Sequence, residues 1–452
     1  MRFCWSPAAK KGPAGARTTP ATGTGKWAAV ARSAVSTTRR TRRLAVRVRG
    51  FVAAHAARLL LAVGALAGVP AVVVFPRANP EQVALASDVY YAAGRALLDG
   101  QPVYDVGFLY PPPVAVAFLP NALLGDTTLA YAYQILAGVL ALAAVAAVGV
   151  RLAERAGARL DRTDRALVAA AVLVSPPSVV NLVNGQVNPA LAAAVGAGAL
   201  ALEADREWAS GAAFGAAALV KVFPALVGPW LLRQRAWRAV AAATAVGVGV
   251  LLAGLPVFGV GAYETFATTV LTGEANVATF PDGPDPSEPY ATVRRQFAAL
   301  WPGLSGAQLL AASLAVLAPF VAAANRVTAT ATDRLVGLHA VLVAILVAFP
   351  LEPFYAVLAY PTLVPLLYAL DGTPRGLFLA GALLTIAPVT LGDVALVASL
   401  PVFPQAVADA VVAAAETLFT YVRLPTVGAF LMLVGCALQQ HRSAGGRPTN
   451  DG

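Results

Sequence analysis

Asp88, Tyr91 and Arg95 stand three and seven positions apart, so on a helix a carboxylate, a phenol and a guanidinium line one face. Together they are able to accept a proton, hydrogen-bond a hydroxyl and pair with a phosphate. They belong to the stretch SDVYYAAGRALLDGQPVYDVGFLYPPP, residues 87–113, which follows the first apolar segment of membrane length. Gly100 and Pro102 end the predicted helix, and Phe108 to Pro113 leads the chain back toward the membrane. Taken alone, the same pattern also fits a solvated amphipathic loop helix.

Two later stretches add groups of the same kind. Lys221 interrupts an apolar run at 209–232, three residues before Pro224. A lysine at the bilayer centre costs about 2.5 to 3.5 kcal/mol, so it either snorkels to the rim or has a partner. As a mobile point charge it suits a phosphate on a lipid-linked substrate. The run NGQVNP, residues 184–189, sets Asn184, Gln186 and Asn188 between two apolar segments. Turn chemistry accounts for Asn184 and Gly185, less readily for Gln186, and amides both donate to and accept from sugar hydroxyls.

A sugar hydroxyl is a poor nucleophile at neutral pH, and a positioned carboxylate that takes its proton is what sugar transfer requires. Asp88 is the candidate base; Asp99, in a DG turn, Asp105 and Glu352 are its rivals. Tyr91 and Tyr110, with Tyr90 and Tyr104, read either as interfacial anchors or as surfaces on which a sugar stacks. Arg294 and Arg295 are either solvated or phosphate-facing.

The elements that must position these groups are membrane helices. The 452 residues are 58% hydrophobic and only 12% charged, half the charge of an average soluble domain, and an all-α, polytopic membrane protein follows. Residues 1–50 carry many arginines and lysines and no acid, the first carboxylate being Glu81. That start reads as a basic, disordered cytoplasmic tail beside anionic lipid headgroups, and nucleic-acid binding is not expected. Cys4 and Cys436 lie at opposite ends, and His55, His339 and His441 are scattered, so neither a metal site nor a cofactor is expected.

Apolar segments at 59–75, 128–150, 166–183, 188–203, 239–260, 306–325, 335–350, 355–370, 376–392 and 424–440 are candidates to span. Residues 113–124 read as a juxtamembrane helix, 209–232 as two short helices meeting at Lys221, and 402–422 as an interfacial helix. Placing the clustered arginines on one side gives about twelve crossings with both termini cytoplasmic. The first outer loop is then 76–127, the second 261–305, the membrane domain 51–440 and the C-terminal tail 441–452. The polar groups named above share the outer rim.

The ordered set D-V-Y-Y, F-L-Y-P-P-P, G-Q-V-N and G-A-A-A-L-V-K-V-F-P, over about 75–370, resembles glycosyltransferase family 87, polyprenyl-phosphate-mannose-dependent mannosyltransferases with the C-type membrane glycosyltransferase fold. The resemblance implies a polyprenyl- or dolichyl-phosphate sugar donor, inverting transfer and a general-base aspartate in the first outer loop, which Asp88 matches. Lys221 matches the lysine before the K-x-x-P break, and Gln186 and Asn188 match the G-Q-x-N turn. The chain departs from the family at LEPFY, where Glu352 and Tyr355 stand near a position often held by histidine.

The expected function is therefore transfer of a hexose, mannose first, from a polyprenyl-phosphate donor to a glycolipid or glycan at the extracytoplasmic face of the cell membrane. Asp88 is the expected base, and Lys221 and Arg95 hold the donor phosphate. Tyr91, Tyr110, Gln186, Asn188, Glu352 and Tyr355 contact sugar or acceptor. A transporter or lipid flippase is the alternative from another class, and a non-catalytic membrane scaffold is the third reading.

Overall fold

A computed structural model describes residues 55–386 and 389–445, apart from the side chain of Ala275. The tail expected at 1–50 lies outside the described residues, as does the end of the C-terminal one. Nearly all the described residues belong to one compact unit, Ala57–Gly452. Among them the regular structure is helical throughout, as the apolar composition predicts.

The longer helices are α1 (His55–Ala78), α2 (Leu85–Leu98), α3 (Thr127–Arg155), α4 (Arg162–Val174), α5 (Pro176–Asn184), α6 (Asn188–Leu202), α7 (Glu207–Val220) and α8 (Trp237–Thr265). They are followed by α9 (Gly306–Ala324), α10 (Ala331–Ala348), α11 (Tyr360–Ala369), α12 (Gly372–Ile386), α13 (Leu391–Ala398), α14 (Gln405–Tyr421) and α15 (Leu424–Gly445). Polar caps start several of them at the position the sequence supplies. Asp126 accepts from the Leu129 amide at 2.9 Å, and Asp161 with Asp164, Ser305 with Gln308 and Thr330 with Asp333 form reciprocal capping boxes.

Five described helices are long and apolar enough to cross a bilayer: α1, α3, the run Trp237–Glu274, α9 and α10. Counting each of the bent pairs α4 with α5, α12 with α13 and α14 with α15 as one span raises the number to eight. The protein is a multi-pass membrane protein of all-α architecture, but fewer of its crossings are unbroken helices than the twelve expected. Proline is one reason: Pro176 opens α5 and bends it 44° from α4, because the residue before a proline is pushed out of the helical region. The helix expected at 402–422 is α14, which meets α15 at 53°.

Outward-facing Leu66, Val69, Leu136, Leu140, Val257 and Val260 present apolar surface where lipid tails contact the bundle. The centre is α10, largely apolar and 78% buried over its spanning window, against 11% to 33% for the other continuous spans. Close helix contact relies on small residues: a Cβ at Gly211 of α7 would collide with the Ala239 carbonyl of α8.

The arginine loops assigned to one side by charge do meet at one end. Arg58 pairs with Asp164 at 2.7 Å and Asp161 at 2.8 Å, and Tyr368 reaches Asp164 at 3.3 Å. Arg334 pairs with Glu203 at 2.5 Å, Arg233 donates to the Asn325 and Arg326 carbonyls, and Arg442 donates to the Asp371 carbonyl. At the opposite end, the Ala84 amide bonds the Val183 carbonyl, Asn181 bonds the Phe354 carbonyl and the Val293 amide bonds the Val347 carbonyl. This second end gathers the first loop, the NGQVNP turn and the LEPFY turn. Helix continues from α8 through Phe266–Val270 to Asn276, into the stretch expected as the second outer loop, 261–305.

Candidate active site

The helix expected through Asp88, Tyr91 and Arg95 is α2, and its two faces have different tasks. Ala86, Ser87, Tyr90, Ala93 and Gly94 are buried, whereas Asp88 and Arg95 are exposed and Tyr91 is partly so. The carboxylate, phenol and guanidinium therefore do line one face, and it points away from the packed one. Asp88 lies within electrostatic reach of the Tyr131 hydroxyl, which itself donates to the Val183 carbonyl at 2.8 Å.

The packed face of α2 is fastened to the NGQVNP turn. Gly185 ends α5 with φ +68°, a left-handed conformation that glycine adopts without penalty, and a Cβ there would come within 2.8 Å of the Ser87 Cβ. The turn thus sits directly against the residue preceding Asp88. One helical step further, the Tyr90 hydroxyl lies 2.7 Å from that of Tyr110 and donates to Gln186 Oε1 at 3.3 Å. Tyr90 also stacks on Phe118 with ring centroids 4.1 Å apart. Burial raises both phenols, so Tyr90 and Tyr110 stay neutral hydrogen-bonding groups and neither serves as a base at ordinary pH.

Lys221 stands in the break after α7, as the K-x-x-P spacing predicts, with the 3-10 turn Phe223–Val227 and the short helix Gly228–Arg233 beyond it. Its Nζ donates to the Tyr355 hydroxyl at 2.5 Å and lies 4.3 Å from that ring's centroid and 5.7 Å from the Tyr110 centroid. Burial pushes the ammonium down to about 7, opposed by the negative charges of Glu274 and Glu352. Glu352 is raised in turn by its own burial, with Lys221 opposing the shift.

Asn181 joins the two halves of this site. Its Nδ2 donates to the Pro177 carbonyl at 2.7 Å and the Phe354 carbonyl at 2.8 Å, while its Oδ1 accepts from Asn188 Nδ2 at 2.9 Å. A continuous path of contacts results, from Ser87 and Gly185 through Gln186, Tyr90 and Tyr110 to Lys221, Tyr355 and Glu352. Such an arrangement offers a cation for a phosphate, aromatic and amide groups for a sugar, and an open carboxylate at its edge.

Some expectations change. Asn188, expected at a sugar contact, has no exposed surface and commits its amide to Asn181, so it holds the turn in place. Arg95, expected on the donor phosphate, lies 3.2 Å from Asp99 one turn along, both groups exposed. That pairing also occupies Asp99. Arg294 and Arg295 are neither solvated nor open to a phosphate; both are buried and donate to main-chain carbonyls, Arg294 to Ala348 and Val277, Arg295 to Asp285 and Thr420. Residues that sequence reasoning did not assign are Asn181, Tyr90 as the inward bridge, and Glu274 near Lys221. For Tyr90 a signal exists, since it shares its helical face with Ala86, Ala93 and Gly94. Glu274 ends a long apolar run and has no comparable cue.

Comparison with known proteins sets this geometry in context. The sequence model of glycosyltransferase family 87 matches residues 108–353, which hold Tyr110, Gln186, Lys221 and Glu352 but not Asp88 or Tyr355. Two relatives from Mycolicibacterium smegmatis are similar. One, a polyprenol-phosphate-mannose-dependent alpha-(1-2)-phosphatidylinositol pentamannoside mannosyltransferase, is 34% identical over 179 residues, 39% of this chain and 41% of that protein. The other, a polyprenol-phosphate-mannose-dependent alpha-(1-2)-phosphatidylinositol mannoside mannosyltransferase, is 30% identical over 204 residues, 40% of this chain and 46% of that protein. The matched segments span less than half the length of either relative.

Proposed function

The chain belongs to glycosyltransferase family 87, and from that premise we propose that it transfers mannose from a polyprenyl-phosphate donor to a glycolipid of the phosphatidylinositol mannoside kind, at the extracytoplasmic face of the membrane. The observation that carries this reading is the fastening of the Asp88 helix, through Tyr90, to Gln186 and to Tyr110, whose ring faces the Lys221 ammonium where it bonds Tyr355.

In the reaction, Asp88 takes the proton of the acceptor hydroxyl as its oxygen attacks the anomeric carbon from the face opposite the phosphate. The new carbon–oxygen bond forms as the bond to the phosphate oxygen breaks, and the configuration inverts. Charge that develops on the departing prenyl phosphate is met by the Lys221 ammonium, whose low-dielectric setting strengthens the interaction. Gln186 and Tyr110 orient the sugar, and Tyr355, which holds the Lys221 ammonium, lines the donor side with Glu352 near it. Tyr91, beside Asp88 on the open face of α2, guides the acceptor. The arginine loops fall on the cytoplasmic side by their charge, which leaves the Asp88 end outside.

The test is incubation of the purified protein with a panel of prenyl-phosphate sugars and phosphatidylinositol mannoside acceptors, read by mass spectrometry. Release of prenyl phosphate with matching growth of the acceptor, from the mannose donor, is the expected result. Folded protein that releases no prenyl phosphate from any donor overturns the proposal. Membership of a transferase family removes the premise of the transporter reading.

A further inference from the structure

A cavity lies apart from this site. It has a volume of about 1160 Å3 and lies at the arginine end of the bundle, walled by α3, α4, α6 and the start of α7. Tyr131, beside Asp88, and Arg155, at the cavity, are both on α3, and 24 helical residues separate them by about 36 Å. The cavity therefore belongs to a different part of the molecule from Asp88.

Its lining has two characters. Ala143, Ala147, Ala197, Ala201 and Leu173 form an apolar wall, where side chains too short to meet across the gap leave a space that a packed interior would fill. The rim carries four guanidinium groups, on Arg151, Arg155, Arg165 and Arg206, against one carboxylate, Glu154. Glu154 is already spent on Arg165 at 2.8 Å, and Arg155 donates to the Glu203 carbonyl. The exposed guanidiniums of Arg151 and Arg206 have no hydrogen-bond or ion-pair partner among the described residues. An occupant that satisfies both parts carries an anion at one end and a hydrocarbon chain at the other. A free phosphate would leave the wall bare, and a zwitterionic headgroup would bring a cation to a rim that already has an excess of them.

We propose that this cavity is a lipid site, separate from the transfer centre, that holds an anionic diacyl phospholipid with its phosphate against Arg151 and Arg206 and one acyl chain along the alanine wall. Guanidinium pairs with phosphate in a bidentate fork, and a membrane face rich in arginine is the one that anionic lipids meet. The bound lipid wedges α3, α4 and α6 together at the end where their loops carry most charge.

Native mass spectrometry of the full chain in detergent, titrated in parallel with phosphatidylglycerol and phosphatidylcholine of identical chains, tests the proposal. Phosphatidylglycerol is expected to be retained in preference and to raise the unfolding temperature. The double variant Arg151→Gln, Arg206→Gln should weaken its retention about tenfold or more while retention of phosphatidylcholine and mannosyl transfer stay as in the parent. Ala147→Leu, which fills the wall and keeps every arginine, should weaken it too; Ala201→Leu serves the same purpose if the first variant does not fold. Equal retention of the two lipids overturns the proposal, as does parental retention in the double variant. Glycerol 3-phosphate that binds as well as the lipid would show that the wall has no part, and polyprenyl phosphate that displaces phosphatidylglycerol would assign the cavity to a prenyl lipid; either overturns it.

Discussion

The Nζ of Lys221 lies 2.5 Å from the hydroxyl of Tyr355, 134 residues further along the chain, and 4.3 Å from the centre of the same ring. A neutral phenol thus holds the ammonium in one place with no carboxylate bonded to it, since Glu274 and Glu352 act on it through space. A cation so held is ready for an incoming anion without first breaking an ion pair, and several expectations rest on that geometry.

Replacing Asp88 by Asn keeps shape and removes basicity. Transfer should fall by about 10²- to 10⁴-fold while donor affinity is unchanged, because the carboxylate acts on the acceptor proton and not on the phosphate. Single-turnover kinetics beside a donor-binding titration separate the two quantities. Parental turnover in Asp88→Asn would remove this residue as the base.

Lys221 gives the site a pH dependence whose sign is fixed. Below about 7 the ammonium is present and above it the neutral amine prevails, whereas a donor phosphodiester keeps one negative charge throughout. Donor affinity should therefore decline as pH rises through that value, by at most about tenfold per unit. In Lys221→Arg the charge persists across the range and the slope should vanish. A slope that survives in the arginine variant assigns the titration to another group.

Gly185 tests the contact that seats Asp88. Gly185→Ala places an L residue at φ +68° and a Cβ against Ser87, and should destabilise the protein by about 1 to 2 kcal/mol from the backbone alone. Gly185→Asn relieves most of the backbone strain and retains the Cβ. If the contact positions α2, both variants lose turnover in the transfer assay even where thermal unfolding of the Asn variant matches the parent.

Asn181→Ala leaves the buried carbonyls of Pro177 and Phe354 and the amide of Asn188 without their partner. The expected loss is about 1 to 3 kcal/mol of stability. Because Phe354 precedes Tyr355, donor affinity should weaken as well, which calorimetry or native mass spectrometry of donor binding reads directly. Unaltered donor affinity would confine Asn181 to a purely structural role.

The family match begins at Phe108, so it does not reach Asp88, whose role is argued from this chain's own geometry. The acidic side chain is exposed on α2 and the turn that packs beneath it comes from nearly a hundred residues away. This makes the Asp88 and Gly185 experiments informative in a way that resemblance is not.

The sequence by itself determined the class of protein, a helix through Asp88, Tyr91 and Arg95, the break at Lys221 and the gathering of arginine loops at one end. Each of those follows from a local property: apolar run length, the 3.6-residue period, proline without an amide proton, and charge excluded from lipid. Only the tertiary structure decided that Tyr90 faces inward to Gln186 and Tyr110, that Asn188 is spent on Asn181, that Arg95 turns to Asp99, and that Glu274 comes near Lys221. Helices made largely of alanine, leucine and valine are apolar on every side, so the sequence carries no face by which one chooses its neighbour. Which polar groups meet was settled by packing between segments far apart in the chain, and that leaves no trace in local spacing.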